Sequence, residues 1–453
     1  MLDQIQHNQS NVQRASDNDS ADMADIAIIG AGSSGITVAK ALKARGVTAD
    51  IFEKGSNIGG MWRYENDSGL SSAYASLHID TSRDNLGYSD FPIPRHLPDF
   101  LSHHDFLTYL EAYADHFGVR DRIRCNSEVK QVERGADDKW VIRLRNGESR
   151  RYGHVIIANG HLWDPKYPQF TGSFSGETIH SHHYRTAAPF EGKSVLVVGL
   201  GNSAVDIAVD LARRAKHVTV STRRSAWIMP KYLMGLPTDQ WSGFLSKKLG
   251  LPTLLTRKIM AQAIKLGIGD QSRFGLRKPD HPMWREHATL SQDLLPYIGH
   301  GWLSVKPNIK LLDGKSVEFD DGSRQDFDAI IYATGYNTSF PFLDKKLFDP
   351  ATEAGQLYRR MVALRHSGLY FAGLVQPVGP TIPLVEIQGE WLAAALSGAM
   401  RLPDPRTRER EVKKHRDYQR RTYLDADRYI LEVDFKTYAR QMRNDIRRGV
   451  TGG

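Results

Sequence analysis

The sequence predicts an α/β protein with two Rossmann-like dinucleotide-binding domains, the second inserted into the first. A short apolar run, a glycine turn and a helix-like stretch occur in this order twice, beginning at Asp25 and at Ser194. This order opens a βαβ unit and therefore implies a parallel sheet. Two further apolar runs, at Asp328–Gly335 and Leu369–Gly373, follow the second turn. We expect these runs to complete the first sheet, which requires the second domain to be an insertion.

Composition sets the limits of this prediction. The chain has 453 residues, of which 40% are hydrophobic and 25% charged, as expected for a globular protein of two or three domains. The formal net charge is +8, and residues 401–453 contribute 15 Lys and Arg against 9 Asp and Glu. Cys125 is the only cysteine, which excludes an internal disulfide, a CxxC pair and a cysteine-based zinc site. A reducing, cytoplasmic compartment is the simplest inference.

The chain shows no targeting or membrane-spanning pattern. Residues 1–23 are polar and predict a disordered leader. No window offers about 18 uncharged apolar residues, the least needed for a spanning helix, so we expect a soluble protein. The segment Leu251–Gly267 is apolar and carries Arg257, Lys258 and Lys265. We favour a helix packed on the protein's own core, with an amphipathic helix on a membrane surface as the alternative.

The first glycine turn predicts a nucleotide site. Gly30, Gly32 and Gly35 form GxGxxG between a strand and a helix, the context in which backbone amides approach a pyrophosphate. Glu53 ends the next strand, where a carboxylate accepts hydrogen bonds from a ribose diol and repels a 2′-phosphate. This site is therefore predicted to bind FAD or NAD. Its expected residues are Gly30, Gly32, Ser33, Ser34, Gly35, Glu53 and Lys54.

The second glycine turn predicts the opposite ribose chemistry. The segment GLGNSA begins at Gly199, and the following strand ends near Ser221 with two arginines after it and no acid. The planar donors of arginine suit a phosphate, so this site is predicted to prefer NADPH. The alternative is a solvated arginine pair at a strand end. The expected residues are Gly199, Gly201, Asn202, Ser203, Ala204, Ser221, Arg223 and Arg224.

Two dinucleotide sites with opposite ribose chemistry imply electron transfer from NADPH to a bound flavin, which gives a predicted domain division. Residues 24–165 and 325–400 form a discontinuous FAD domain, and residues 186–324 form the inserted NADPH domain. Within the insertion, residues 223–305 are less regular and are expected to cover the active site. Residues 401–453 are expected to be a basic, solvated helical tail.

A third motif lies just before the second turn. Residues Phe174–Arg185 read FSGETIHSHHYR, which fits FxGxxxHxxxY. This segment resembles the flavin-containing monooxygenases, a group of class B flavoprotein monooxygenases. Tyr184 favours this branch over the Baeyer–Villiger relatives, which have tryptophan there. GGMW, TSRDNLGYSDFPIP, ATGY and EIQGEW also resemble segments of the family, so the resemblance covers roughly residues 25–400.

The resemblance implies a FAD enzyme that NADPH reduces and that uses O₂ to form a flavin hydroperoxide. This species would oxygenate an amine nitrogen or a sulfide sulfur of a small organic substrate. The residues that the resemblance places beside the flavin are Gly60, Met61, Trp62, His78, Thr81 and Gln388. The residues taken as catalytic candidates are Asp80, His180 and Tyr184.

Asp80 departs from the family pattern, in which an asparagine commonly stands at this place. An asparagine amide donates hydrogen bonds, whereas an ionised aspartate only accepts them. Asp80 is therefore expected to tune how much NADPH is spent without product. The alternative is that Asp80 caps a turn ahead of Thr81 and Ser82.

Several other functions are weighed against this one. Baeyer–Villiger oxygenation of ketones needs a cation, for which Arg185 or Arg223 could serve, and an uncoupled NADPH oxidase is the further alternative. A disulfide reductase is excluded by the single cysteine. No metal is expected at His180, His182 and His183, because no carboxylate set completes a site. Nucleic-acid binding is not expected, since acids alternate with the basic residues of the tail, and a homodimer is the commonest closed assembly.

Overall fold

A computed structural model describes residues 24–285, 288–422 and 430–449. The predicted leader, residues 1–23, lies outside the described residues. Two five-stranded parallel sheets organise the chain, as the two glycine turns predict. The predicted fold class is thus confirmed.

The first sheet has its glycine turn after the central strand. All four residues of that strand, Ile26–Ile29, are buried, because helices and a second layer cover both faces of the sheet. The helix Ser33–Lys43 follows the turn and packs against the helix Ile382–Leu396. In spatial order the strands are Leu369–Phe371, His154–Ile157, Ile26–Ile29, Ala49–Phe52 and Ile123–Arg124.

The second sheet differs from expectation at one strand. Ala329–Tyr332, expected in the first sheet, pairs on both sides within the second. A buried apolar run of four residues shows only that a strand is buried, so the sequence could not identify its partners. In spatial order the strands are Glu177–His180, Ala329–Tyr332, Ser194–Val198, His217–Ser221 and Leu303–Lys306. The second sheet therefore draws on strands on both sides of the predicted limits 186–324.

Shorter elements connect and cover the two sheets. The remaining strands are Val129–Arg134, Trp140–Leu144, Ser149–Tyr152, Asp164–Pro165, Thr171–Phe174, Ile228–Met229, Tyr232–Leu233, Leu236–Pro237, Thr289–Leu290, Ile309–Gly314, Ser316–Phe319, Arg324–Asp326, Tyr336–Asn337, Gln376–Val378 and Glu432–Asp434. The remaining α-helices are Arg83–Leu86, His103–His116, Asn202–Leu211, Thr238–Gly243, Thr253–Ile268, Leu294–Gly299, Pro350–Glu353, Pro405–Thr422 and Phe435–Arg448.

The region 223–305 is more regular than its sequence indicates. Two helices, Thr238–Gly243 and Thr253–Ile268, surround a small apolar core that includes Met229, Met260 and Ile264. The second helix buries only one of its faces. The predicted packing of this segment on the protein's own core is confirmed for that face.

The described C-terminal residues form helices, as predicted. The helix Pro405–Thr422 buries only Val412 and Gln419 and is largely solvated, but the elements after it are packed on the protein. The strand Glu432–Asp434 pairs with Gln376–Val378. The helix Phe435–Arg448 buries Tyr438 and Met442 in the core of the first sheet. Its few apolar residues share one face, and this narrow stripe is sufficient to fix the helix despite the high charge.

No helix among the described residues is long and apolar enough to cross a membrane.

Candidate active site

A cavity of about 1970 Å³ connects the two glycine turns. Its lining includes residues that directly follow strands of both sheets, among them Gly30, Ala158, Gly199 and Ala333. The carboxyl ends of parallel strands are where α/β proteins bind nucleotides. The cavity exceeds the roughly 300–1,000 Å³ of a drug-sized site, so it has room for more than one small ligand.

The first turn accepts only glycine at its close approaches. Gly30 has φ of +103°, and a Cβ there would lie 2.6 Å from the Ala158 carbonyl oxygen. A Cβ on Gly35 would lie 1.9 Å from the Gly30 carbonyl oxygen. The helix Ser33–Lys43 starts at this turn without a side-chain cap, which leaves its first amides free for an anion. The turn therefore has the geometry to hold a pyrophosphate, and we call it and its counterpart at Gly199 the cradles.

Glu53 braces this cradle from the neighbouring strand. Its carboxylate accepts hydrogen bonds from the amides of Ala31 and Gly55, each at 2.8 Å. Burial raises the pKa of Glu53, while the backbone hydrogen bonds from Gly55 and Ala31 lower it. Glu53 also lines the cavity, so its remaining lone pairs fit a ribose diol. Lys54 lines the cavity too and pairs with Glu128 at 3.6 Å.

Most of the predicted flavin-side residues reach the cavity, but two do not. Gly35 packs behind the turn, and Gln388 is fully buried. Gln388 accepts a hydrogen bond from the Gly373 amide and donates one to the Tyr438 hydroxyl, both at 2.9 Å. Gln388 thus positions the loop of Gly373, and its assignment to direct binding is corrected. The residues that line the cavity are Gly30, Gly32, Ser33, Ser34, Gly60, Met61, Trp62, His78 and Thr81.

The second turn has the same geometry as the first, but arginines stand where the first site has Glu53. Gly199 has φ of +131°, and a Cβ there would lie 2.4 Å from the Ala333 carbonyl oxygen. Arg223 and Arg224 are exposed and line the cavity, and neither forms an ion pair within the described part of the chain. Two unpaired guanidinium groups suit a phosphate. The other predicted residues that line the cavity are Gly201, Asn202, Ser203, Ala204 and Ser221.

His180 and Tyr184 lie outside the cavity lining. The Tyr184 hydroxyl donates to Asp210 at 2.6 Å, and its ring packs beside Phe190. Burial lowers the pKa of His180 to about 4, so this ring is neutral, and its Nδ1 accepts from the His182 amide at 3.1 Å. Both residues fix the segment Phe174–Arg185, which carries the FxGxxxHxxxY motif, to the second sheet and its helix. Their assignment as catalytic stays a prediction, which their absence from the cavity lining does not support.

Asp80 does line the cavity, and a charged network surrounds it. The Lys231 Nζ lies 3.1 Å from the Asp80 carboxylate. Next to this pair, the Tyr74 hydroxyl donates to Asp206 at 3.0 Å. Burial and the Asp80 charge raise the pKa of Asp206 to about 7, although Lys231 opposes the shift. Sequence reasoning missed Asp206, whose signal was a carboxylate inside the apolar stretch SAVDIAV.

The raised pKa of Asp206 gives a testable pH dependence. The folded state keeps a proton that the unfolded chain releases near pH 3.8, so this group stabilises the fold fully only below that pH. Its contribution is lost as the pH rises through about 7. Asp206→Asn keeps the acceptor for Tyr74 and should raise Tm by roughly 3–6 °C at pH 8 and by less at pH 5. Thermal unfolding at both pH values checks this, and an equal gain at the two would contradict it.

Two cradles of opposite ribose chemistry on one cavity define a flavoprotein that also binds a nicotinamide dinucleotide. The family model "FMO-like: Flavin-binding monooxygenase-like" matches residues 23–448. The chain belongs to this family. It is a FAD-dependent monooxygenase, and the cradle at Gly30 fits this cofactor.

Individual relatives agree with this family. The chain is 34% identical over 432 residues to flavin-containing monooxygenase 5 of Rattus norvegicus, covering 90% of this chain and 80% of that protein. It is 31% identical over 443 residues to dimethylaniline monooxygenase [N-oxide-forming] 2 of the same species, covering 93% and 82%. The structure of S-allyl-L-cysteine S-oxygenase from Allium sativum is 26% identical, with a TM-score of 0.70 and coverage of 93% and 88%.

A further structural neighbour supports the fold alone. Cyclohexanone monooxygenase from Rhodococcus sp. Phi1 bound to NADP⁺ has a TM-score of 0.70 at 18% identity, covering 94% of this chain and 97% of that one.

Proposed function

We propose that this enzyme oxygenates an amine nitrogen or a sulfide sulfur of small organic molecules with NADPH and O₂. The observation that carries the proposal is the single cavity that both glycine cradles and Asp80 line. The names of two relatives, an N-oxide-forming monooxygenase and an S-oxygenase, support the choice of nitrogen and sulfur.

The proposed roles follow the two cradles. The first turn and Glu53 hold FAD, and the second turn with Arg223 and Arg224 holds NADPH. FAD supplies hydride acceptance and oxygen activation when bound. The chain's own task is to bring the two rings together and to keep water away from them. On this assignment the FAD domain includes the helix Phe435–Arg448, and the NADPH domain includes the strands Glu177–His180 and Ala329–Tyr332.

Asp80 has a defined charge in this proposal. Its contact with Lys231 favours the carboxylate over the protonated acid, so Asp80 accepts hydrogen bonds from the cavity and does not donate them. A soft nucleophile needs little acid–base assistance. We therefore assign Asp80 a role in setting the polarity of the cavity and not in proton transfer.

The Asp80→Asn variant tests both the function and this role. The wild-type enzyme should form close to one molecule of N-oxide or sulfoxide for each NADPH consumed. Asp80→Asn should change the hydrogen peroxide released per NADPH about twofold or more, since an amide donor replaces a charged acceptor. Product, peroxide and NADPH are measured together, with Asp84→Asn, an exposed aspartate outside the cavity lining, as the control. Unchanged peroxide release would remove Asp80 from the active site.

Ketone oxygenation is the alternative function, and product analysis separates it from the proposed one. Arg185 was one of two cations considered for it, but its guanidinium donates to the carbonyls of Ser71, His182 and Tyr184 and lies outside the cavity lining. The other, Arg223, belongs to the proposed phosphate site. Lactone or ester formation from ketones, with no N- or S-product, would replace our proposal, and peroxide alone would indicate an NADPH oxidase.

We also propose a cytoplasmic homodimer. The single thiol, Cys125, suits a reducing compartment, and a two-fold dimer is the commonest closed assembly. The substrate partners of the proposed enzyme are small molecules and O₂.

A further inference from the structure

One carboxylate of the cavity has no part in the function proposed above. Asp206 lines the cavity and lies on the helix Asn202–Leu211, which begins at the second cradle. Its charge interacts with that of Asp80, which lines the cavity between the predicted flavin-side residues His78 and Thr81. Asp206 and Asp80 thus connect the helix of the second cradle with the flavin-side segment, where the proposed function brings the two rings together.

The two oxygens of the Asp206 carboxylate differ in their contacts. Oδ2 accepts a hydrogen bond from the Tyr74 hydroxyl at 3.0 Å. Oδ1 has no hydrogen-bond partner among the described residues, and the Lys231 Nζ pairs with Asp80 at 3.1 Å and not with Asp206. Oδ1 is therefore the oxygen that can take a proton from a ligand in the cavity.

The surroundings of Asp206 suit this carboxylate to proton transfer near neutral pH. Burial and the charge of Asp80 raise its pKa most, and Asp293 adds to them, whereas Lys231 and the hydrogen bond from Tyr74 lower it. Together these groups raise the pKa of Asp206 from 3.8 to about 7. A general base works best when its pKa lies near the working pH, because it is then ionised and still holds a proton that it accepts.

Oxygenation of an amine nitrogen creates a need for such a base. An aliphatic amine is mostly protonated at pH 7, since alkylammonium groups such as that of lysine have a pKa of about 10. The ammonium nitrogen has no lone pair, so it cannot take up an oxygen atom. A sulfide sulfur keeps its lone pairs and needs no base. An amine that enters the cavity as its ammonium ion therefore requires a proton acceptor there.

We propose that Asp206 is the catalytic base that deprotonates ammonium substrates before oxygen transfer. The N–H bond breaks, its electron pair stays on nitrogen as the lone pair, and the proton forms an O–H bond at Oδ1 of Asp206. The nitrogen then takes up the oxygen atom, and Asp206 returns its proton to water when the product leaves. This inference rests on the proposed function and names one of its substrate classes, aliphatic amines that bind as ammonium ions.

Three substrates of the FAD-loaded enzyme test this role. They are an aliphatic tertiary amine, N,N-dimethylaniline, whose nitrogen is mostly unprotonated at pH 7, and thioanisole, a sulfide. Asp206→Asn keeps an acceptor for Tyr74 but removes the base. At pH 7 this variant should lower kcat/KM on the order of 100-fold for the aliphatic amine. The values for N,N-dimethylaniline and thioanisole should stay within about threefold.

The pH profile gives a second readout. In the wild type, kcat/KM for the aliphatic amine should rise as Asp206 ionises and level off above about pH 7. In Asp206→Asn it should keep rising with pH until the amine itself loses its proton. A variant profile that still levels off near neutral pH would assign that titration to another group and overturn the proposal.

Asp210→Asn is the matched control. Asp210 lies four residues further along the same helix and accepts a hydrogen bond from Tyr184, but it lies outside the cavity lining. Its kcat/KM values should match those of the wild type for all three substrates, and bound flavin per protein verifies that each variant folds. Absence of organic product from all three substrates in the wild type would refute the proposed function itself. With product formed, an equal loss for all three in Asp206→Asn, or no loss for the aliphatic amine, would overturn only the assignment of the base.

Discussion

Gly30→Ala is expected to abolish stoichiometric FAD binding. The backbone at Gly30 has φ of +103°, which an L side chain rarely adopts, and the new Cβ would lie 2.6 Å from a backbone oxygen of Ala158. Since the backbone fixes the Cβ position and the atom it meets is a backbone oxygen, no rotamer change relieves the contact. The turn must move away from the strand end, and its amides leave the pyrophosphate position. We expect the ratio of bound flavin to protein to fall at least tenfold.

Gly46→Ala is the matched control for this variant. Gly46 also has a positive φ, +71°, but nothing lies within 4 Å of its Cβ position. This variant should cost only about 1–2 kcal/mol of backbone strain and should retain FAD. Flavin absorbance and far-ultraviolet circular dichroism are measured for both. A folded Gly30→Ala protein with a full complement of FAD would show that the first turn does not hold the cofactor.

Removal of the two arginines at the second site should change the choice of coenzyme. Arg223→Ala with Arg224→Ala is expected to raise the KM for NADPH about 100-fold and to leave the KM for NADH within about threefold. Only NADPH carries the 2′-phosphate, and each charge-assisted contact with it contributes about 1.5–3 kcal/mol. Initial rates of NADPH and NADH oxidation at constant ionic strength give both values.

Arg214→Ala controls for the loss of general positive charge. Arg214 is exposed just beyond the helix Asn202–Leu211 and is not among the cavity-lining residues. It should leave both KM values unchanged. If the double variant weakened NADPH and NADH equally, the arginines would act on something other than the 2′-phosphate.

Local backbone geometry explains why the two cradles were predictable. A turn that brings a backbone oxygen within 2.6 Å of the Cβ position admits only glycine. In the two turns this holds for Gly30, Gly35 and Gly199, so the sequence shows the requirement directly. Glu53 and the arginines after Ser221 follow the next strand of each unit, where the ribose of a dinucleotide lies, so their places are also set by the local motif. The same patterns correctly gave two parallel sheets.

Long-range partners explain what was not predictable. Ala329–Tyr332 is a buried apolar strand, and nothing local determines which sheet it joins. Tyr184 and His180 matched the family fingerprint, but their burial against the second sheet appears only in three dimensions. The network of Asp80, Asp206 and Lys231 joins residues more than 20 positions apart, so no motif could show it.

The most direct test of the central claim follows the oxygen atom. The FAD-loaded enzyme is supplied with NADPH, ¹⁸O₂ and, in turn, a tertiary amine, a sulfide and a ketone, and the products are analysed by mass spectrometry. Our account predicts one ¹⁸O atom in the N-oxide or sulfoxide and one NADPH consumed for each product. NADPH oxidation in which all ¹⁸O appears as hydrogen peroxide, with none in any organic product, would contradict it.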